Sequence, residues 1–103
     1  MIATVYAVFA DAEEAERIAV IAVEEGLAAC ANILAPCRSI YRWQGRVERA
    51  EEVPALFKTA NAEALIRRIA ELHSYEVPAA VAWPVEMAEP SYRTWVEANS
   101  AAS

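Results

Sequence analysis

The chain has 103 residues, of which 57% are hydrophobic and 23% charged, and its formal net charge is −6. This composition suits one globular domain and excludes a disordered polar segment. Its arginines are dispersed and Lys58 is the only lysine, so there is no concentrated basic surface for nucleic acid or an anionic membrane. No apolar run reaches the roughly 18 residues of a membrane span.

The start of the sequence and the cysteine count both bear on the compartment. The start lacks the basic region of a signal peptide, so we expect a cytoplasmic protein. In that reducing compartment Cys30 and Cys37 are expected to be free thiols. With His73 as the only histidine, one chain has too few Cys and His residues for a closed structural zinc site, which takes four ligands.

The first elements are a strand and a helix. Residues 2–9 are β-branched and aromatic and predict a buried strand. Asp11 and Glu14 form a capping-box pattern, and apolar residues at helical spacing then predict a helix over about 12–25, ended by Gly26.

A long hairpin follows. Residues 27–34 predict a second strand, which Pro36 interrupts. Alternation then resumes with one face formed by Cys37, Ser39, Tyr41 and Trp43. Gly45 suits a tight turn, and residues 47–59 predict the returning strand. Pro54 cannot donate to a ladder, so we expect a bulge or an unpaired donor position there.

The remaining elements are a helix, a strand and a short helix. Asn61 caps a second helix, whose buried stripe is formed by Ala62, Leu65, Ile66, Ile69 and Leu72. Residues 77–85 predict the last strand. Pro90 opens a short C-terminal helix, and residues 99–103 are expected to fray.

The order β-α-β-β-α-β plus a short helix is the ferredoxin-like pattern of the α+β class, an antiparallel sheet with both helices on one face. The hairpin of the second and third strands, roughly 28–59, is long for this fold, so its aromatic tip should project beyond the sheet. An exposed aromatic ribbon is prone to aggregation unless another chain packs on it, so its length predicts a subunit interface. The alternative is that Tyr41 and Trp43 pack on the C-terminal helix.

A candidate site lies where the second helical pattern gives way to the last strand. His73, Tyr75 and Glu76 stand together there, and titratable side chains at such a junction are typical of binding sites. The alternative is a plain helix end, where the helix dipole favours histidine.

Four segments carry a family resemblance: LAACANI at 27–33, SIYRWQG at 39–45, EEV at 51–53 leading to Lys58-Thr59, and HSYEVP at 73–78. In this order and spacing they resemble the CutA divalent-cation tolerance proteins, over nearly all of a single domain, 1–103. The resemblance implies a ferredoxin-like fold, tight homotrimers like those of PII signalling proteins, and tolerance of divalent metals, copper above all. It implies no enzymatic role and no obligatory cofactor.

The resemblance also implies site residues. The family's polar cluster matches Cys30, Lys58, His73, Tyr75 and Glu76, with aromatic neighbours at Trp43, Tyr92 and Trp95. We assign His73, Glu76 and Cys30 to a metal, because imidazole and carboxylate suit Cu(II) and thiolate suits Cu(I). The other five are assigned to a ligand crevice between subunits. Ser74 and Gln44 depart from the family, which usually has Pro and often Glu there.

Several alternatives stay open. Cys30 could be a small buried apolar residue. Lys58 could be solvated, or could pair with Glu76 or a bound anion. Tyr92 and Trp95 could simply pack helix to sheet. As functions, a trimeric metal-binding protein competes with a PII-like sensor of a small anionic metabolite and with a trimeric scaffold for partner proteins.

Overall fold

The computed structural model describes residues 1–102, which form five strands and three helices. The strands are β1 (Ala3–Phe9), β2 (Cys30–Ile33), β3 (Cys37–Trp43), β4 (Arg46–Thr59) and β5 (Ala80–Pro84). The helices are α1 (Ala12–Glu24), α2 (Ala62–Leu72) and α3 (Pro90–Asn99). Within residues 1–102, none of these helices is long and apolar enough to cross a membrane.

The sheet has the order β2-β4-β1-β5, with antiparallel neighbours, and β3 extends it by pairing with the first half of β4. Val5 of β1 stands opposite Phe57 of β4 on one side and Ala82 of β5 on the other. The predicted ferredoxin-like α+β fold is therefore confirmed.

The core lies between the sheet and helices α1 and α2. Its fully buried side chains include Val5, Phe9, Phe57, Ile18, Leu65 and Ile69. Because side chains alternate along a strand, Tyr6 and Leu56 point to the opposite face, beside Val81 and Trp83. Val81 is 52% and Trp83 51% exposed, so this helix-free face presents large apolar side chains to solvent.

The junction between β2 and β3 is a bulge. Residues 34–36 face only residues 53–54 of β4, and the Leu34 N–H donates to the Pro54 oxygen at 2.9 Å. The N and O of one residue in an antiparallel strand point the same way, so the missing N–H of Pro54 faces this irregular segment. The predicted bulge or unpaired donor at Pro54 is confirmed.

Two predicted strands are too long. Residues 27–28 do not extend β2, because the N–H groups of Leu27 and Ala28 donate to the Ala22 oxygen and close the end of α1. Hydrogen bonding to β4 begins at Ala29, whose N–H donates to the Lys58 oxygen at 2.8 Å. The last strand begins at Ala80 and not at residue 77, because residues 74–77 bend and Pro78 cannot donate.

The expected fraying of residues 99–103 is wrong for the part that the structure describes. Ser100 is buried, and its hydroxyl donates to the Val96 oxygen and accepts from the Ala60 N–H at 2.8 Å. The Ala102 N–H donates to the Gly26 oxygen at 3.3 Å. Residues 100–102 therefore pack across the ends of α1 and β4. Ser103 lies outside the described residues.

Candidate functional site

His73 is the C-cap of α2 and is only 9% exposed. Its Nδ1 accepts a hydrogen bond from the Tyr75 N–H at 3.1 Å, so Nε2 carries the proton and donates to the Val8 oxygen at 2.7 Å. The imidazole also stacks on Phe9, with 5.1 Å between ring centroids. Both nitrogens are thus occupied within the subunit, and His73 could ligate a metal only after one of these bonds breaks.

Glu14 ties the following loop to the start of α1. One carboxylate oxygen accepts from the Ala10 N–H at 3.0 Å and the other from the Ser74 N–H at 2.8 Å. Burial acts to raise the pKa of Glu14, but the bonds from Ser74 and Ala10 outweigh it and lower the pKa below its ordinary value. A proline at position 74 would have no N–H to donate, so Ser74 gives this chain a bond that proline excludes.

Tyr75 joins this loop to the hairpin. Its hydroxyl donates to Glu52 Oε2 at 2.7 Å. Burial and this bond raise the pKa of Tyr75, so the phenol stays protonated as a donor. Glu52, only 9% exposed on an otherwise open ribbon, is a site residue that sequence reasoning missed. The available signal was its place on the hairpin face that carries Ser39 and Tyr41.

A cavity of about 660 Å³ lies between the hairpin and residues 74–79. Its walls bring together three predicted site residues, Trp43, Tyr75 and Glu76, with Tyr41 and Glu52. The alternative that Tyr41 and Trp43 pack on the C-terminal helix is therefore wrong within the subunit: they face this cavity.

The other predicted residues form a second cluster at the far end of the sheet. Cys30 stands opposite Lys58, and its Sγ lies 3.3 Å from the Tyr92 hydroxyl. That contact and partial burial raise the pKa of Tyr92 to about 12. Tyr92 stacks on Trp95 at 5.8 Å, and both rings are partly exposed. The contact of Tyr92 with Cys30 joins α3 to β2, so the alternative of helix-to-sheet packing stays open for these two residues. Cys30 is only half-buried and in a polar contact, unlike a core apolar residue.

The two clusters are separate. Lys58 and Glu52 lie six residues apart on β4, which corresponds to about 20 Å at the ~3.3 Å rise of a strand. Glu76 belongs to the Glu52 end, so it is not the partner of Lys58 in the same subunit, and that prediction is wrong there.

The three predicted metal ligands do not meet in one subunit. Residues 1–102 contain no group of three or more His, Cys, Asp or Glu side chains placed to hold a metal ion. Cys30 stands at one end of the sheet and His73 and Glu76 at the other. One subunit therefore does not fit a complete metal site.

One family model covers nearly the whole chain: residues 3–99 match the family described as CutA1 divalent ion tolerance protein. The chain belongs to this family. The CutA1 names describe tolerance of cations and do not name an enzymatic reaction.

Relatives agree with this assignment. The divalent-cation tolerance protein CutA of Pyrococcus horikoshii is 40% identical over 94 residues, which cover 89% of this chain and 91% of that protein. Mouse protein CutA is 40% identical over 84 residues, or 80% of this chain, but the chain spans only 48% of the mouse protein's length.

Solved structures share the CutA1 fold. The divalent cation tolerance protein of Thermus thermophilus has a TM-score of 0.92 and 39% identity, covering 97% of this chain and 99% of that one. CutA from Archaeoglobus fulgidus has a TM-score of 0.91 and 33% identity with 97% and 99% coverage, and it is described as a periplasmic protein.

Proposed function

We propose that this CutA1-family chain forms a cytoplasmic homotrimer that binds a divalent cation, copper first, in a crevice between subunits. It acts in cation tolerance as a binding protein and not as an enzyme. One observation carries the proposal: the predicted ligands stand at opposite ends of the sheet, so only a second copy can bring them to one ion.

The exposed apolar face supports assembly. Trp83 packs against Tyr6 at 5.7 Å on the helix-free face, and with Val81 it remains about half exposed. Large apolar patches on a small domain are typical of interaction surfaces. A closed ring of three copies covers such a face on each subunit without leaving an open end.

The ligand chemistry supports copper. Glu76 offers an exposed carboxylate and Cys30 an accessible thiol, and each is present three times in a trimer. Carboxylate and imidazole suit Cu(II), whereas thiolate suits Cu(I). Because His73 is engaged through both nitrogens, it joins the site only if the bond to Tyr75 or to Val8 opens.

A copper titration tests the ligand set. The full chain should bind Cu(II) saturably, and Glu76→Gln should weaken this binding at least tenfold. Glu63→Gln, which changes an exposed carboxylate on α2, is the matched control and should leave the affinity unchanged. Equal affinity for the wild type and Glu76→Gln contradicts the role of Glu76.

Electron paramagnetic resonance of the Cu(II) complex tests His73 without any mutation. His73 is the only histidine, so a pulsed signal from the remote nitrogen of an imidazole can arise only from it. Detection of this signal means that one hydrogen bond of His73 has broken and that the freed nitrogen ligates copper. A complex without this signal contradicts the assignment of His73 as a ligand.

The cavity beside Tyr75 favours a second candidate, a PII-like sensor of a small organic ligand. Its volume of about 660 Å³ is within the usual range of small-molecule sites. Stabilisation of the protein by a metabolite in the presence of a chelator separates this function from metal binding. A chelator-sensitive response would favour metal binding instead.

A further inference from the structure

The cavity between the hairpin and residues 74–79 has a wall built by alternation. Ser39, Tyr41 and Trp43 occupy every second position of β3 and therefore share one face of the ribbon. Tyr75 closes the opposite side, held by its hydrogen bond to Glu52. Three aromatic rings thus border one space large enough for a small organic molecule.

A largely buried carboxylate, that of Glu52, lines this space. Glu52 uses Oε2 to accept from Tyr75, while Oε1 accepts no hydrogen bond from residues 1–102. Glu52 is only 9% exposed and lines the cavity. Oε1 is therefore free to accept from a donor or to pair with a positive charge there.

The charge of the lining favours a cation over an anion. Glu52 and Glu76 both border the cavity, and among the described residues that line it Arg42 is the one cationic side chain. An anionic metabolite would be placed against two carboxylates. A bare divalent metal would find no third His, Cys, Asp or Glu ligand in this subunit, within residues 1–102.

Aromatic rings together with a carboxylate are the arrangement that recognises organic ammonium groups. Ring faces attract a cation, and they tolerate alkyl groups that a metal site would exclude. We propose that this cavity binds an alkylammonium ligand, with its cationic head between Glu52 and the rings of Tyr41, Trp43 and Tyr75. This inference goes beyond the metal proposal and does not depend on it.

The test is calorimetric titration of the full chain with choline, a quaternary ammonium probe, and separately with acetate. Both titrations contain EDTA, so that no divalent ion contributes. We expect saturable choline binding at one site per chain and no acetate binding. The absence of saturable choline binding, or acetate binding as tight as that of choline, overturns the proposal.

Variants locate the site. Glu52→Gln keeps an oxygen that can accept from Tyr75 but removes the charge, and it should weaken choline binding at least tenfold. Glu51→Gln is the matched control, because this exposed neighbour points to the other face of β4. The choline affinity of Glu51→Gln should stay within twofold of wild type. Trp43→Leu, at a partly exposed position, provides a second test if Glu52→Gln does not fold. Choline affinity within twofold of wild type in a folded Glu52→Gln or Trp43→Leu variant overturns the proposal.

The two proposals fail separately. Choline binding in EDTA by a wild-type chain that binds no copper removes the metal site alone. Copper binding with no choline binding in EDTA removes the ammonium site alone.

Discussion

At the scale of single residues, His73 is first a structural residue. His73→Ala removes the partners of the Tyr75 N–H and the Val8 oxygen and leaves a gap beside Phe9. We expect a loss of about 3 kcal/mol in the free energy of unfolding, because each buried group left without a partner costs ~1–3 kcal/mol. Urea denaturation at one fixed protein concentration measures it.

The control for His73 is Arg67→Ala on the exposed side of α2, where only a surface pair with Glu63 is lost. The free energy of unfolding of Arg67→Ala should stay within about 0.5 kcal/mol of that of wild type. If His73→Ala is as stable as Arg67→Ala, the buried hydrogen bonds described for His73 do not stabilise the fold.

Glu14 makes the free energy of unfolding depend on pH. Its pKa in the folded chain lies below the ordinary 4.5, so its contribution is fully present above pH 4.5 and is lost as the pH falls through the lowered value. Glu14→Gln should be less stable than wild type at pH 7 but should lose less stability between about pH 6 and about pH 3. Denaturation curves across this range test the prediction, and parallel losses in both proteins would refute it.

At the scale of single residues, the sequence predicted a histidine at the end of the second helix but not the groups that it contacts. A histidine at a helix end can be read from local pattern, whereas Val8 lies 65 residues away and is brought close only by the sheet. Glu52 was missed for the same reason, since its burial depends on Tyr75, 23 residues further along the chain.

At the scale of elements, Gly26 shows how the C-terminal segment is held. Gly26 and Gly45 both have positive φ, +73° and +81°, which strains any other residue by roughly 1–2 kcal/mol. A Cβ on Gly26 would also lie 3.2 Å from the Ala102 side chain, whereas a Cβ on Gly45 meets nothing within 4 Å. Gly26→Ala should therefore destabilise the protein more than Gly45→Ala.

Thermal unfolding of both glycine variants measures the difference. The double change Gly26→Ala with Ala102→Gly removes the close contact between the two side chains. It should therefore be destabilised only as much as Gly45→Ala, because the backbone strain is all that remains. Equal destabilisation by the two single variants would mean that Ala102 does not pack against Gly26 in solution.

Helices were predicted more accurately than strands. The caps Asp11 and Asn61 are local signals, and α1 and α2 begin directly after them. Strand ends depend on partners elsewhere in the chain. Residues 27–28 look like a strand but close a helix, and residues 77–78 precede Ala79, whose oxygen accepts the first hydrogen bond from β1. The ordering of residue 100 depends on Val96 and Ala60, which no local pattern indicates.

At the scale of the whole molecule, the subunit is elongated and leaves large apolar side chains uncovered. It measures 45 × 25 × 22 Å, with the hairpin as an open ribbon. The turn at Gln44 and Gly45 has positive φ at both residues, as the Gly45 signal predicted for a tight hairpin. The ribbon exposes Ile40 and Val47 on the face away from the cavity, and the helix-free face of the sheet exposes Val81 and Trp83. Both features are explained if further copies cover these surfaces.

Assembly matters most for the proposed function, because the proposed metal site needs ligands from more than one copy. Sedimentation equilibrium of the wild-type chain at micromolar concentration, with and without EDTA, tests this directly. We expect one species in both conditions, with three times the 11.3 kDa mass of a single chain. A species of 11.3 kDa would contradict this expectation and would remove the shared site between subunits.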